Sequence, residues 1–124
     1  MHNKSQLGLY GQQVVEHYLC AQQFAIVHRN FRRFEGEVDL IARKGSLLIF
    51  VEVKTRNGSQ MIDPTEVITR SKQRKIAHAA AHFLHQMNTD NEYDCRFDVA
   101  IVSCQTAKPT VSYIPDAFQA EEYA

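Results

Sequence analysis

The sequence predicts a single α/β domain built on a mixed sheet, in the order helix, strand, strand, strand, helix, strand, spanning residues 1–124 with a core from about 7 to 116. Three observations predict it. Apolar residues recur at helical spacing in two separate segments. Between them lies a strand pair with Lys44-Gly45 at its turn. The second strand carries the unbroken run Leu47-Leu48-Ile49-Phe50-Val51, the character of a central strand covered on both faces.

Taken in order, Leu7, Tyr10, Val14, Val15, Tyr18 and Leu19 mark an amphipathic helix from about Leu7 to Gln23, despite Gly8 and Gly11 near its start. Phe24 to Val27 is a short strand, followed by an Arg-rich polar connection that contains Gly36. Glu37 to Arg43 and Ser46 to Thr55 are the next strands, and Asn57-Gly58-Ser59 closes the second. A polar loop through Asp63-Pro64 leads to a helix start at Thr65-Glu66. A long helix from about Ser71 to Met87 follows, with Ile76, Ala79, Ala80, Phe83, Leu84 and Met87 as its stripe. Asp90-Asn91-Glu92 ends it. Phe97 to Val102 is the last core strand, and Val111 to Ile114 an edge strand in the tail. A hairpin followed by a crossover helix makes the last core strand parallel to the one before.

With 44% hydrophobic and 23% charged residues, the 124-residue chain can bury one core without staples, which excludes disordered, collagen-like and coiled-coil classes. The longest apolar run stops at Glu52, far short of the roughly 20 residues of a membrane helix, so no membrane partner is expected. Met1 to Gln6 lacks the apolar stretch of a secretory signal, and three cysteines (Cys20, Cys95, Cys104) cannot all pair within one chain. A reduced, cytoplasmic protein with buried, inert thiols is the expectation.

Fourteen basic and fourteen acidic residues give zero net charge, at first sight an argument against a nucleic-acid partner. The distribution is uneven. From Arg29 to Lys75 there are eleven basic residues against six acidic; from Asp90 onward there are seven acidic against two basic. The neutrality is a sum of two opposite halves, and the basic half contains the hairpin.

That hairpin carries the chemistry. Residues two apart in a strand share a face, so Glu37 and Asp39 project together and Glu52 and Lys54 project together. A Lys44-Gly45 turn would set Glu37 against Glu52, with Asp39 diagonal to it at about 7 to 8 Å. A Gly45-Ser46 turn would set Asp39 directly against Glu52. Either register gathers three carboxylates and one ammonium on one face, and like charges opposite each other are destabilising. Mg²⁺ would compensate them, since it takes oxygen ligands from one or two carboxylates plus substrate phosphate. Lys54 would then stabilise charge on a phosphodiester or orient the attacking water. The plainer reading is a solvated hairpin face laced by salt bridges. Against it, charged residues at the end of a central strand are costly without a purpose.

Gly36-Glu37-Val38-Asp39-Leu40-Ile41-Ala42, Phe50-Val51-Glu52-Val53-Lys54-Thr55-Arg56, Thr69-Arg70-Ser71-Lys72-Gln73 and Cys95-Arg96-Phe97-Asp98-Val99 resemble the successive motifs of the YraN family. That family is similar to archaeal Holliday-junction resolvases, within the restriction-endonuclease-like PD-(D/E)-x-K superfamily. The resemblance implies a restriction-endonuclease-like mixed sheet and a Mg²⁺-dependent endonuclease, with Mn²⁺ able to substitute, acting on DNA of branched or otherwise unusual structure. It implies Asp39 and Glu52 as metal-binding acids, the Val53 carbonyl as a further ligand, Lys54 as the catalytic lysine and Glu37 as an auxiliary acid. By analogy with resolvases it implies a homodimer. The family's first helix often carries Gly-Glu where this chain has Gly11-Gln12. The Gln12 amide can still ligate through its carbonyl oxygen or hold a water, and Glu16 lies one turn further along. The competing class is a non-catalytic nucleic-acid-binding or partner-binding module that keeps the fold.

Arg70, Lys72, Arg74 and Lys75 open the long helix and suit phosphate oxygens, Lys72 foremost because the family pattern has a lysine there. Arg56 joins the DNA-facing set on the Lys54 face. Arg29, Arg32 and Arg33 could grip a backbone, while Phe31 and Phe34 between and beside them are expected in the core. His78, His82 and His85 form an exposed polar face, not a zinc site. Arg96 and Asp98 make a structural ion pair near the site.

Overall fold

The computed structural model describes residues 5–57, 68–87 and 92–120. Helix α1 (Gln6–Ala21) is capped by Ser5, whose hydroxyl accepts a hydrogen bond from the Gly8 N–H at 3.0 Å. Strands β1 (Ala25–Arg33), β2 (Gly36–Lys44) and β3 (Leu47–Arg56) follow. Helix α2 (Arg70–Met87) then leads to β4 (Asp94–Ser103) and β5 (Thr110–Phe118). The five strands form one sheet in the order β1-β2-β3-β4-β5, antiparallel except for the parallel β3–β4 pair that α2 connects.

Strands β1, β4 and β5 are longer than the sequence indicates. Strand β1 runs on to Arg33 instead of ending at Val27, so the expected polar connection is a strand. It is an edge strand with only Phe31 buried, and its alternation is hidden under exposed His and Arg residues. The tail strand extends from Thr110 to Phe118 and is a full member of the sheet. The expected helix start at Thr65-Glu66, the Asp63-Pro64 loop, Gly58-Ser59 and Asp90-Asn91 lie outside the described residues.

Register decides where the hairpin charges go. Lys44 pairs with Leu47 and Leu40 with Val51, so the turn is Gly45-Ser46, with Gly45 at φ 60° where a side chain would be strained. Along β3, Leu48 and Phe50 face the core under α2, while Ile49 and Val51 face the core under α1. By the two-residue period Glu52 and Lys54 fall on the α2 face, Val53 and Thr55 on the α1 face.

The α2 core contains a cross-strand aromatic ladder: Phe50 stacks on Phe97 at 5.6 Å between centroids and Phe97 on Phe118 at 4.9 Å, with Phe83 of α2 edge-on to Phe31 and Phe50. Each such side chain contributes roughly 1.5–3 kcal/mol by burial, offset by the entropy of ordering it. Glycine permits close approach of each helix. A Cβ on Gly36 would lie 2.7 Å from the Ala79 backbone nitrogen of α2, and one on Gly11 1.9 Å from Thr55 Oγ1 on the other face. The thiols depart from expectation, since Cys20 and Cys95 are exposed and Cys104 is partly so. Cys20 lies one position past buried Leu19, off the apolar stripe, and Cys95 precedes the point where β4 enters the core at Phe97.

Candidate active site

The β2–β3 ladder ends at Leu40 and Val51, and the next pair in register would be Asp39 and Glu52. Asp39 Oδ2 instead accepts a hydrogen bond from the Val53 backbone N–H at 2.8 Å. The carboxylate thus caps a strand amide where the two strands part. Glu52 is only 2% exposed and hydrogen-bonds Asp39. Burial, and then the neighbouring Asp39 charge, push the Glu52 carboxyl up to about 8, so the pair holds a proton near neutral pH.

Two ammonium groups adjoin the acids where the sequence suggests one. Lys54 Nζ stands 3.8 Å from Glu52 Oε2, and Lys72 Nζ stands 3.5 Å from the same oxygen and 2.8 Å from Glu37 Oε1. Arg32 approaches Glu37 from β1 at 3.9 Å. The Lys72 hydrogen bond holds the Glu37 carboxyl below its usual range, against the effect of its partial burial. Burial works to lower the Lys72 ammonium, but Glu52, Glu37 and Asp39 outweigh it and raise the group above its ordinary value. Lys72 therefore faces the carboxylates, bridging Glu37 and Glu52, rather than open solvent. The first turn of α2 places it, since the Lys72 N–H donates to Thr69 Oγ1 at 3.1 Å, an N-cap interaction that starts the helix beside the acids. A Thr followed by helix formers is a cap signature, and here it precedes the long helix expected from about Ser71.

The donor set suits a hard divalent cation. Two adjacent carboxylates sharing a proton offer oxygen ligands from which a cation can displace that proton. Among the described residues no group of three His, Cys, Asp or Glu forms a metal cluster, so the protein would supply a carboxylate pair, not a closed cage. His78 is partly exposed and His82 and His85 are exposed on α2, the polar face expected of them. Gln12 is 3% exposed and its Oε1 is buried without a hydrogen-bond partner. It sits on α1, beside the Gly11–Thr55 contact, on the helix covering the opposite face. Glu16 is held by Arg29 at 2.8 Å.

The other candidate residues divide. Arg56 follows Lys54 at the end of β3 and is partly buried, its Nε lacking a partner. Arg70 is exposed at the first position of α2. Arg33 is exposed, with its guanidinium 4.5 Å over the Phe31 ring and bonded to Gln86 Oε1 at 2.6 Å. Phe31 is in the core as expected, but Phe34 is 85% exposed, against expectation, because it occupies the β1–β2 turn beyond the reach of either core. Arg96 and Asp98 are paired at 2.9 Å, and Asp98 also accepts from Tyr113 Oη and the Asp116 N–H. Between Phe97 and Val99 of the α2 core, Asp98 belongs to the α1 face, so this pair is not beside the acids.

A five-stranded mixed sheet with a helix on each face, in the order α-β-β-β-α-β-β and with an acid pair where two central strands part, is consistent with the restriction-endonuclease-like fold. The chain belongs to the UPF0102 family, the YraN family its motifs resemble, and residues 11–102 match the family described as "Uncharacterised protein family UPF0102". It is 44% identical over 119 residues to a UPF0102 protein of Geotalea uraniireducens, covering 94% of this chain and 91% of that one. A UPF0102 protein of Rhodococcus opacus is 41% identical over 113 residues (90% and 95%), and one of Chlorobium phaeobacteroides 36% identical over 121 residues (93% and 94%).

Proposed function

We propose that this protein is a Mg²⁺-dependent endonuclease hydrolysing DNA phosphodiester bonds, with branched DNA as its preferred substrate. One observation carries the reading: a carboxylate 2% exposed, beside a second carboxylate and two lysines, within a central strand at the point where it parts from its neighbour. Such burial costs stability and is characteristic of sites whose groups must be poised for chemistry. Bound at Asp39 and Glu52, with the Val53 carbonyl as a third donor, Mg²⁺ or Mn²⁺ would supply Lewis-acid polarisation of the scissile phosphate and a more acidic water.

The chain's own groups do the rest. The Asp39–Val53 hydrogen bond fixes the Asp39 oxygen. Lys72 balances Glu37 and Glu52, keeping the acids oriented. Lys54, its side chain 36% exposed, reaches outward from Glu52 to a phosphate oxygen and offsets charge developing there. Arg56, Arg70 and Arg33 contribute phosphate contacts, and two protomers are expected to cut two symmetric strands. Among the described residues no helix is long and apolar enough to cross a membrane.

The competing reading, a binding module without catalysis, draws on Gln12, a neutral amide with an unpartnered buried oxygen. Incubating junction, flap and linear DNA with Mg²⁺ or Mn²⁺ decides between them. Metal-dependent cleavage falling at least about 100-fold in Lys54→Ala supports the nuclease. Cleavage that survives Lys54→Ala overturns the mechanism; binding without cleavage under either metal supports the module; no binding to any DNA at low salt removes the DNA partner.

A further inference from the structure

Phe34 is 85% exposed, about twice the next most exposed large apolar residues among those described, Leu9 at 45% and Tyr10 at 44%. It stands at a tight turn: Arg33 pairs with Gly36, leaving Phe34 and Glu35 as the tip, and Glu35 holds φ 60° to close it. An isolated exposed apolar residue needs no explanation by itself. What surrounds this one does. A groove at the foot of the turn is lined by Arg32, Arg33, Glu35, Gly36, Glu37 and Lys75, three cations against two carboxylates, one of which Lys72 already engages. Glu37 lines the groove and connects through Lys72 to Glu52. Arg33 is prevented from folding over Phe34, since its guanidinium lies on the Phe31 ring and is bonded to Gln86 and to the Arg32 carbonyl. An aromatic face is thus held in water at the outer end of a cationic path leading to the acid pair.

We propose that Phe34 is a stacking platform for an unpaired base of a nucleic-acid strand whose phosphates follow Arg32, Arg33 and Lys75 toward the acids. Charge complementarity selects a polyanion for the groove, and a ring with both faces open suits a base, which offers a π-face regardless of its identity. A base within a duplex is already stacked on its neighbours, so the platform favours strands with a free base, at a flap, gap or branch. The proposal rests on the reading of this site as one that acts on DNA, and it assigns the discrimination between paired and unpaired DNA to a particular residue.

The chain contains no tryptophan, so Phe34→Trp introduces a single reporter. At low salt and without divalent metal, the Phe34→Trp fluorescence is expected to be quenched by a single-stranded oligothymidine and little affected by a blunt duplex of the same length. Phe34→Ala is expected to bind the single strand about 5- to 100-fold more weakly, with duplex binding unchanged. Unquenched fluorescence at saturating single strand, equal losses for single strand and duplex, or a Phe34→Ala effect on oligomeric mass with DNA affinity unchanged would overturn the proposal. The two readings fail separately: Mg²⁺-dependent cleavage with no Phe34 effect rejects only the platform, while quenching with no cleavage under Mg²⁺ or Mn²⁺ rejects only the nuclease.

Discussion

Asp39 Oδ2 lies 2.8 Å from the Val53 backbone nitrogen, so a side chain of β2 replaces a ladder partner of β3 at the point where the strands separate. The same carboxylate that caps the strand also hydrogen-bonds Glu52. Structure and chemistry therefore meet in one residue, and substitutions can separate them.

Asp39→Asn keeps an oxygen that can accept the Val53 N–H and removes the charge facing Glu52. The metal-free protein is expected to remain folded, with stability equal to or above the parent near neutral pH. Mn²⁺ affinity by calorimetry is expected to fall at least about tenfold, since a neutral amide is a weaker ligand. Asp39→Ala leaves the amide uncapped and should cost about 1–3 kcal/mol in urea denaturation. Equal Mn²⁺ binding by the parent and Asp39→Asn would remove Asp39 from the metal site.

Glu52 gives a pH dependence with a definite sign. Its carboxyl is raised from an ordinary 4.5 to about 8 in the folded protein. Between those values the folded state holds a proton that the unfolded state has lost, so stability falls as pH rises. The contribution is complete below about 4.5 and lost on passing about 8. Thermal melts of the metal-free protein should show a decline from pH 6 to 9 on the order of a few kcal/mol. Glu52→Gln should flatten it. A curve that rises with pH and is unchanged by Glu52→Gln contradicts the assignment.

Lys72→Met removes the ammonium that bridges Glu37 and Glu52 while keeping most of the side-chain volume. The carboxyl of Glu37 should return toward its ordinary range and that of Glu52 should rise further, shifts that carbon-detected NMR titration resolves. A loss of about 1–2 kcal/mol in stability at pH 7 is expected for a half-buried charge-assisted contact. Unchanged carboxyl titrations would show that Lys72 does not bridge these acids in solution.

Gly36→Ala places a methyl 2.7 Å from the Ala79 backbone nitrogen, which cannot rotate away, so α2 must shift outward over β2. A cost of about 1–3 kcal/mol is expected, read as a lower urea midpoint at unchanged slope. Because α2 carries Lys72, the same variant should disturb the Glu37 titration. Gly45→Ala has open space around its Cβ and suffers only from the positive φ, so it should cost less and leave the site alone.

The sequence by itself determined the α/β class, the helix–strand–strand–strand–helix–strand order, the central character of Leu47 to Val51, and the gathering of Glu37, Asp39, Glu52 and Lys54 on one strand pair. These are local matters of periodicity, turn chemistry and two-residue alternation, and a motif carried along the chain preserves them. It allowed two hairpin registers, because Lys44-Gly45 and Gly45-Ser46 are both acceptable turns. Tertiary packing chose the register that brings Asp39 to Glu52. It also made a strand of the Arg-rich segment, because an edge strand draws its partner from β2 and shows little burial of its own. The link from Lys72 to Glu37 and Glu52 spans residues far apart in sequence, and only the crossing of α2 over Gly36 brings them together. The exposure of Phe34 was decided in the same way: an apolar side chain is normally drawn inward, and here a two-residue turn held it beyond both cores.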